Sequence, residues 1–271
     1  MEFNTLIIDL DGTLAYKRDK VAKENIKTIN NLLEKGIKVI IATGRSPEKI
    51  KPILNLIDIE KYNYPIISFN GGLVYESQTK KVILRKTFST EHALNFFDNL
   101  NQKKLYGWGY SANHNYGYTN KNKFIIKIIS IITKRKKTNY KMINKNNDEV
   151  FKFIVGGKTK NIDIFKNELL KAEDLSFFQW SYFSGKINNL EINPKNTDKW
   201  YALKHIAVDY DIDLEKTVAI GDGGNDKLLI ENCKIGAAMK NANAKIKNVA
   251  DYVTKNNNKK AGVSEVVNKF F

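Results

Sequence analysis

Two aspartates one residue apart close an apolar run: Thr5-Leu6-Ile7-Ile8 leads into Asp9-Leu10-Asp11-Gly12-Thr13. In an extended segment alternate side chains share a face, so Asp9 and Asp11 approach one centre from the same side. Gly12 then lets the backbone turn sharply. A calcium loop also begins Asp-x-Asp, but it needs Gly at its sixth position and Glu at its twelfth. Leu14 and Lys20 stand there, which excludes it. A second acidic group, Gly221-Asp222-Gly223-Gly224-Asn225-Asp226, follows another apolar run. It lacks the Lys-Ser/Thr of a P-loop and the spacing of a dinucleotide fingerprint. Carboxylates gathered on one rim repel one another unless a cation joins them. Oxygen ligands with no His or Cys nearby select a hard ion, and Mg2+ is the expected one. Backbone amides and a Thr hydroxyl beside such an ion suit a phosphate. A metal-held phosphate next to a free aspartate points to phosphoryl transfer.

The elements that must position these groups are legible as alternating strands and helices. Residues 5–9 read as a strand buried on both faces. The spacing of Ile26, Ile29, Leu32 and Leu33 predicts a helix over Lys23–Lys35, stopped by Gly36. A strand at Ile37–Ala42, a helix at Ser46–Leu56 with Pro47 in its first turn, and a strand at Ile66–Phe69 follow. The pattern returns as helix Asp198–Tyr210, strand Thr217–Gly221, helix Asp226–Asn232 and strand Ile235–Met239. This order calls for an α/β fold, a Rossmann-like parallel sheet with right-handed crossovers. In such sheets ligands bind beyond the carboxyl ends of the strands. Asp9–Thr13, Thr43-Gly44-Arg45, Asn70-Gly71-Gly72 and Gly221–Asp226 all stand at such ends, so the topology brings them to one rim. Between the two halves the texture changes. Half-buried strands at Phe151–Val155 and Ser176–Phe183 around a helix at Ile162–Lys171 indicate an inserted α/β domain.

Composition narrows the setting. The chain has 271 residues, 45 Lys plus Arg against 29 Asp plus Glu, and a formal charge of +16. Of the basic residues 41 are Lys and four are Arg, the side chain suited to bidentate phosphate and base contacts. Lys, Asn and Ile, all with A/T-rich codons, are abundant together, so biased coding accounts for the charge and no specific nucleic-acid partner is expected. One Cys, Cys233, excludes an internal disulfide and suits a reducing compartment. The first residues lack a secretory signal, and no apolar run reaches the ~20 residues that span a bilayer. A soluble, cytoplasmic protein is expected, as a monomer or small homo-oligomer.

The ordered set Asp9-x-Asp11-Gly12-Thr13, Thr43-Gly44-Arg45, Lys199 and Gly221-Asp222-Gly223-Gly224-Asn225-Asp226 resembles the four motifs of the haloacid dehalogenase-like superfamily. Residues 66–72, 190–194, 236–242, 250–254 and 262–263 are similar to its Cof-type hydrolases, subfamily IIB. The resemblance spans 1–83 and 186–271 and implies that these form the catalytic core. Residues 84–185 take the place and length of the family's mobile α/β cap of the C2B type, which closes over substrate and sets specificity. The implied activity is a Mg2+-dependent phosphatase acting on small phosphorylated metabolites, sugar phosphates or phosphorylated cofactors. Asp9 would be the nucleophile that forms an aspartyl-phosphate, and Asp11 the general acid and base. Mg2+ would be held by Asp9, the backbone carbonyl of Asp11 and Asp222, with Asp226 supporting. Thr43, Lys199 and the amide of Gly44 would hold phosphoryl oxygens, and Asn225 would contact the transferring group. The family has Gly after this Lys, whereas Trp200 follows it here.

Arg45, one of four Arg and placed at the rim, is expected to contact substrate or phosphate. Two other readings share the motifs or the charge. One is a sugar phosphomutase or phosphotransferase of the same fold. The other is a non-catalytic protein of that fold binding nucleic acid or another anionic surface. The stretch Phe124–Thr133, followed by Lys134-Arg135-Lys136-Lys137, is β-branched and interrupted by Lys127 and Ser130, and so reads as a core element of the cap; no membrane partner is expected. The aromatic stretch Tyr106–Tyr118 reads as cap packing, and Cys233 as an inert buried thiol.

Overall fold

The computed structural model describes residues 2–17, 19–171, 175–182 and 187–271. The chain forms two units, one comprising the chain up to Arg85 together with Asp198–Phe271, the other Lys86–Thr197. In the first, eight strands form one sheet in the order Tyr252–Val253, Ile235–Ala238, Thr217–Gly221, Thr5–Ile8, Lys38–Ala42, Pro65–Ser68, Leu73–Glu76 and Val82–Arg85. The first six run parallel, and Leu73–Glu76 and Val82–Arg85 are added through antiparallel pairings. The chain leaves Thr5–Ile8 toward one side and later returns on the other, so the switch point lies beside that strand.

Burial on both faces explains the apolar runs. Thr5–Ile8 and Thr217–Gly221 are buried at every position. One face takes Ile7, Ile40, Ile67 and Ala219 against Ala202, Leu203 and Ile206 of helix Lys199–Ala207 and Leu229 of helix Lys227–Asn232. The helix Lys23–Glu34 buries Ile29, Leu32 and Leu33 and packs on the C-terminal helix Gly262–Phe270. Cys233 is buried, and burial pushes its thiol up to about 12, far from reactive thiolate.

The second unit is a six-stranded sheet ordered Lys136–Asn139, Tyr116–Thr119, Tyr106–Ser111, Val150–Gly156, Ile187–Pro194 and Leu175–Tyr182. Only the first pair is parallel. Helices Thr90–Gln102 and Thr159–Leu169 supply Phe97, Leu100, Ile162 and Phe165 to a core with Tyr118, Phe153, Leu190 and Ile192. Trp108 and Tyr118, from the aromatic stretch, are fully buried.

Two expectations change here. Ile187–Pro194, read from sequence as part of the 186–271 core segment, is a strand of the second unit, between Val150–Gly156 and Leu175–Tyr182. Leu190 and Ile192 enter that unit's core, while Glu191 alternates to the opposite face, so cross-strand pairing decides the assignment. The sequence boundary at 185/186 and Phe183 lie outside the described residues. Phe124–Thr133 is a helix, yet of its residues only Ile126 is buried, so it is not a core element of the cap. Among the described residues no helix is long and apolar enough to cross a membrane.

Candidate active site

The rim is built where buried strands end and the chain must turn. The amide of Asp9 still donates to the carbonyl of Ile220 at 3.0 Å, and Ala15 closes a turn back to Leu10 at 2.7 Å. Gly12 makes that turn at φ +87. A Cβ there would lie 2.2 Å from Oδ2 of Asp222, so the first loop touches the fourth with no room for a side chain. On the other flank Gly71, at φ +97, lets the loop after Pro65–Ser68 press on the carbonyl of Asp198, 2.3 Å from where a Cβ would sit. Asp198 caps helix Lys199–Ala207 through its side chain. That close approach fixes the start of the helix carrying Lys199.

Asp9, Asp222 and Asp226 each offer a carboxylate oxygen, and the three atoms lie within 4.8 Å of one another. Lys199, fully buried, donates from Nζ to Oδ1 of Asp9 and to Oδ1 of Asp226, both at 2.6 Å. Asp226 spends Oδ2 on the backbone amides of Asp222 and Gly223 at 3.1 and 3.0 Å. It therefore braces the loop and the lysine together. Thr13 donates to Oδ1 of Asp222 at 3.2 Å, and Asn241 donates to the carbonyl of Gly12 at 2.7 Å.

Three acids against one buried lysine leave strain in the protonation states. Burial, then the charge of Asp226, holds Asp9 well above the usual carboxylate range, with Lys199 opposing. Burial and Asp226 push Asp222 up to about 6. Burial alone would lower Lys199, but Asp226 and Asp9 outweigh it and raise it. A site whose ionised carboxylates are disfavoured without a counter-charge, and whose donors are all oxygen, fits a hard divalent cation.

Other expected site residues are placed differently. The carboxylate of Asp11 does not join the cluster: its side chain is 64% exposed and bonds Arg45 through Nη2 at 2.6 Å and Nε at 2.8 Å. Arg45 also bonds Asp19 at 2.8 Å, so its guanidinium lies in an ion-pair network where a contact with substrate or phosphate was expected. The alternation that would aim Asp9 and Asp11 together requires extended backbone, and the turn begins at Leu10. Thr43 is buried and accepts the amide of Arg45 at 3.2 Å. Asn225 donates to Asn70 at 2.9 Å, and Asn70 lies against Gly44.

Asn70 and Asn241 were not picked out as site residues by sequence. Asn70 adopts φ 56, a left-handed value that Asn tolerates, within a loop after a buried strand; that position was its signal. Asn241 lies in the 236–242 stretch that resembles the Cof-type hydrolases, but its contact with the distant Gly12 carbonyl is not legible there. Gly12→Ala is expected to destabilise the chain by about 2 kcal/mol or more through the unfavourable φ and displacement of Asp222. A chemical denaturation midpoint unchanged from wild type would contradict that reading.

A family model described as haloacid dehalogenase-like hydrolase matches residues 6–267. The chain is 25% identical over 257 residues to the Bacillus subtilis (strain 168) 5-amino-6-(5-phospho-D-ribitylamino)uracil phosphatase YcsE, covering 95% of this chain and 92% of that protein. A solved haloacid dehalogenase-like hydrolase from Bacteroides thetaiotaomicron superposes with TM-score 0.84 at 23% identity, over the whole of both chains. The subclass IIB sugar phosphatase BT4131 superposes with TM-score 0.78 at 22% identity, over 98% of each.

Proposed function

This chain belongs to the haloacid dehalogenase-like hydrolases, of the Cof type, and from that premise we propose a Mg2+-dependent phosphatase of small phosphorylated metabolites. The observation that carries the reading is the convergence of Asp9, Asp222 and Asp226 around buried Lys199 at the carboxyl ends of the central strands. Asp9 is the nucleophile. Lys199 favours its ionised form despite burial, and a nucleophile must be ionised to attack phosphorus. The Asp9–phosphorus bond forms as the ester oxygen leaves, and Asp11 protonates that oxygen. Asp11 then takes a proton from the water that cleaves the aspartyl-phosphate. An arriving phosphate dianion competes with Asp11 for Arg45, which frees the Asp11 carboxyl for this work and gives Arg45 its contact with the substrate.

Asp9, Asp222 and the carbonyl of Asp11 would hold Mg2+, with Asp226 in support. When bound, the ion offsets carboxylate charge and polarises a phosphoryl oxygen. Thr43, the amide of Gly44, Lys199 and Asn225 hold the phosphoryl group. The unit Lys86–Thr197 takes the part of the cap. Sugar phosphates and phosphorylated cofactors or their precursors are the substrate classes, supported by the activities named for BT4131 and YcsE. A single cysteine, unpaired in the chain, suits a reducing compartment, and the cytoplasm is the proposed setting. The test is phosphate release across a panel of both classes and an aryl phosphate, with and without Mg2+. Activity on none of them, at every Mg2+ concentration tried, would refute the reading.

Asp222 also makes cation binding measurable without turnover. Its folded value near 6 stands above the unfolded 3.8. A raised acid stabilises the fold while protonated, and that contribution is lost as pH rises from about 4 to about 6, at a cost of about 3 kcal/mol. A cation that favours the ionised form restores it. Mg2+ should therefore raise the melting temperature more at about pH 8 than at about pH 5. Equal shifts at both would place the ion elsewhere.

A further inference from the structure

We propose that the helix Phe124–Thr133 seats the protein on an anionic lipid surface. This helix is built inside out. Phe124, Ile128, Ile131 and Ile132 stand at i, i+4, i+7 and i+8, one continuous stripe. Phe124 is 77% exposed, Ile131 76% and Ile132 55%. The opposite side carries Ile126, which is buried, with Ser130 and Thr133. Those two hydroxyls are spent on backbone carbonyls, Ser130 on Arg135 and Thr133 on Ile129, each at 2.7 Å. The helix thus turns its two hydroxyl residues toward the Ile126 side and leaves Phe124, Ile131 and Ile132 outward beside exposed Lys127. A water-facing helix gains nothing from that arrangement.

Charge identifies what covers the stripe. Residues 99–147 contain 11 Lys and Arg and no Asp or Glu. Lys123, Lys127, Lys134 and Lys136, on and beside the helix, are exposed. Two such faces repel, which disfavours a second copy of this chain as the occupant. Nucleic acid supplies negative charge but no apolar interior for four large side chains. An anionic bilayer surface supplies both, with headgroups for the lysines and acyl chains for the stripe. Contact on this scale is reversible and sensitive to salt, and it is independent of the residues assigned to catalysis.

Cosedimentation of the full chain with phosphatidylcholine vesicles, with and without phosphatidylglycerol, tests the proposal. Two variants separate its parts. One carries Phe124→Ser, Ile131→Ser and Ile132→Ser; the other carries Lys127→Gln, Lys134→Gln and Lys136→Gln. Wild type is expected on anionic vesicles and not on neutral ones. The charge variant should lose about a hundredfold in partitioning, and the stripe variant should lose binding with its charge unchanged. Both should keep the wild-type melting temperature and hydrolysis of an aryl phosphate, so that lost binding is not lost folding. Raising salt from about 0.1 M to about 1 M should release the wild type. Equal binding to neutral vesicles, no vesicle binding, or full binding by the stripe variant overturns the proposal. So does a concentration-dependent dimer, without vesicle binding, that the stripe variant abolishes.

Discussion

Asp9→Asn is expected to lower kcat for phosphate release by about 10⁵-fold while the protein stays folded. The two side chains have the same shape, so the 2.6 Å contact from Lys199 keeps an acceptor in the amide oxygen. What disappears is the negative charge that the proposed mechanism uses to attack phosphorus. Stability should hold or rise. The wild-type carboxyl is buried beside Asp226, and both features disfavour its ionised form. Replacing it removes a desolvated charge and leaves Lys199 paired with Asp226. Phosphate release and a thermal melt on the same preparation check the two halves. A variant with more than about 1% of wild-type kcat would remove Asp9 from the nucleophile's role. A variant that unfolds would show instead that the carboxylate holds the loop together.

The residues that sequence reasoning located best are those whose position follows from a strand's end. Asp9 and Asp222 follow strands buried at every position, and apolar runs of this kind announce both the strand and its carboxyl end. Asp226 is legible for the same reason, one short turn further on. The fold class followed from the strand and helix order. Groups placed by the course of a turn were not legible. Whether Asp11 joins Asp9 depends on where the extended backbone stops, and composition does not record that the turn starts at Leu10. The fork between Arg45 and Asp11 joins residues 34 positions apart and follows from that turn.

The same limit applies to surfaces between elements. The alternation of Leu190 and Ile192 shows a strand but does not say which sheet takes it; pairing with Val150–Gly156 and Leu175–Tyr182 decides. In Phe124–Thr133 the apolar residues outnumber what one buried face can use. Ser130 and Thr133 look like interruptions in the linear sequence. Their hydroxyls bond backbone carbonyls of Arg135 and Ile129, while Ile131 and Ile132 stay exposed.

Lys199→Met should cost both activity and about 3–5 kcal/mol of stability. A surface lysine in a chain with 41 of them would cost almost nothing. This one is fully buried, with Asp9 and Asp226 each 2.6 Å from its ammonium. Methionine fills a similar volume but leaves two buried carboxylates facing each other. Asp9 already sits well above the usual range with Lys199 pulling it down, so in the variant the Asp9 carboxyl rises further. A raised acid stabilises the fold only while protonated. The lost stability should therefore return as pH falls and be greatest at alkaline pH. Adding Asp226→Asn should recover much of the stability, because the neutral amide removes one of the two charges and its oxygen can still accept the Asp222 and Gly223 amides. On the proposed mechanism it should not recover turnover, because the Lys199 ammonium assigned to keep Asp9 ionised and hold the phosphoryl group is still missing. Denaturation curves of wild type, single and double variants across pH measure the coupling directly. Additive losses with no pH dependence would mean that Lys199 acts by packing alone, and its assignment to the phosphoryl site would fall with that result.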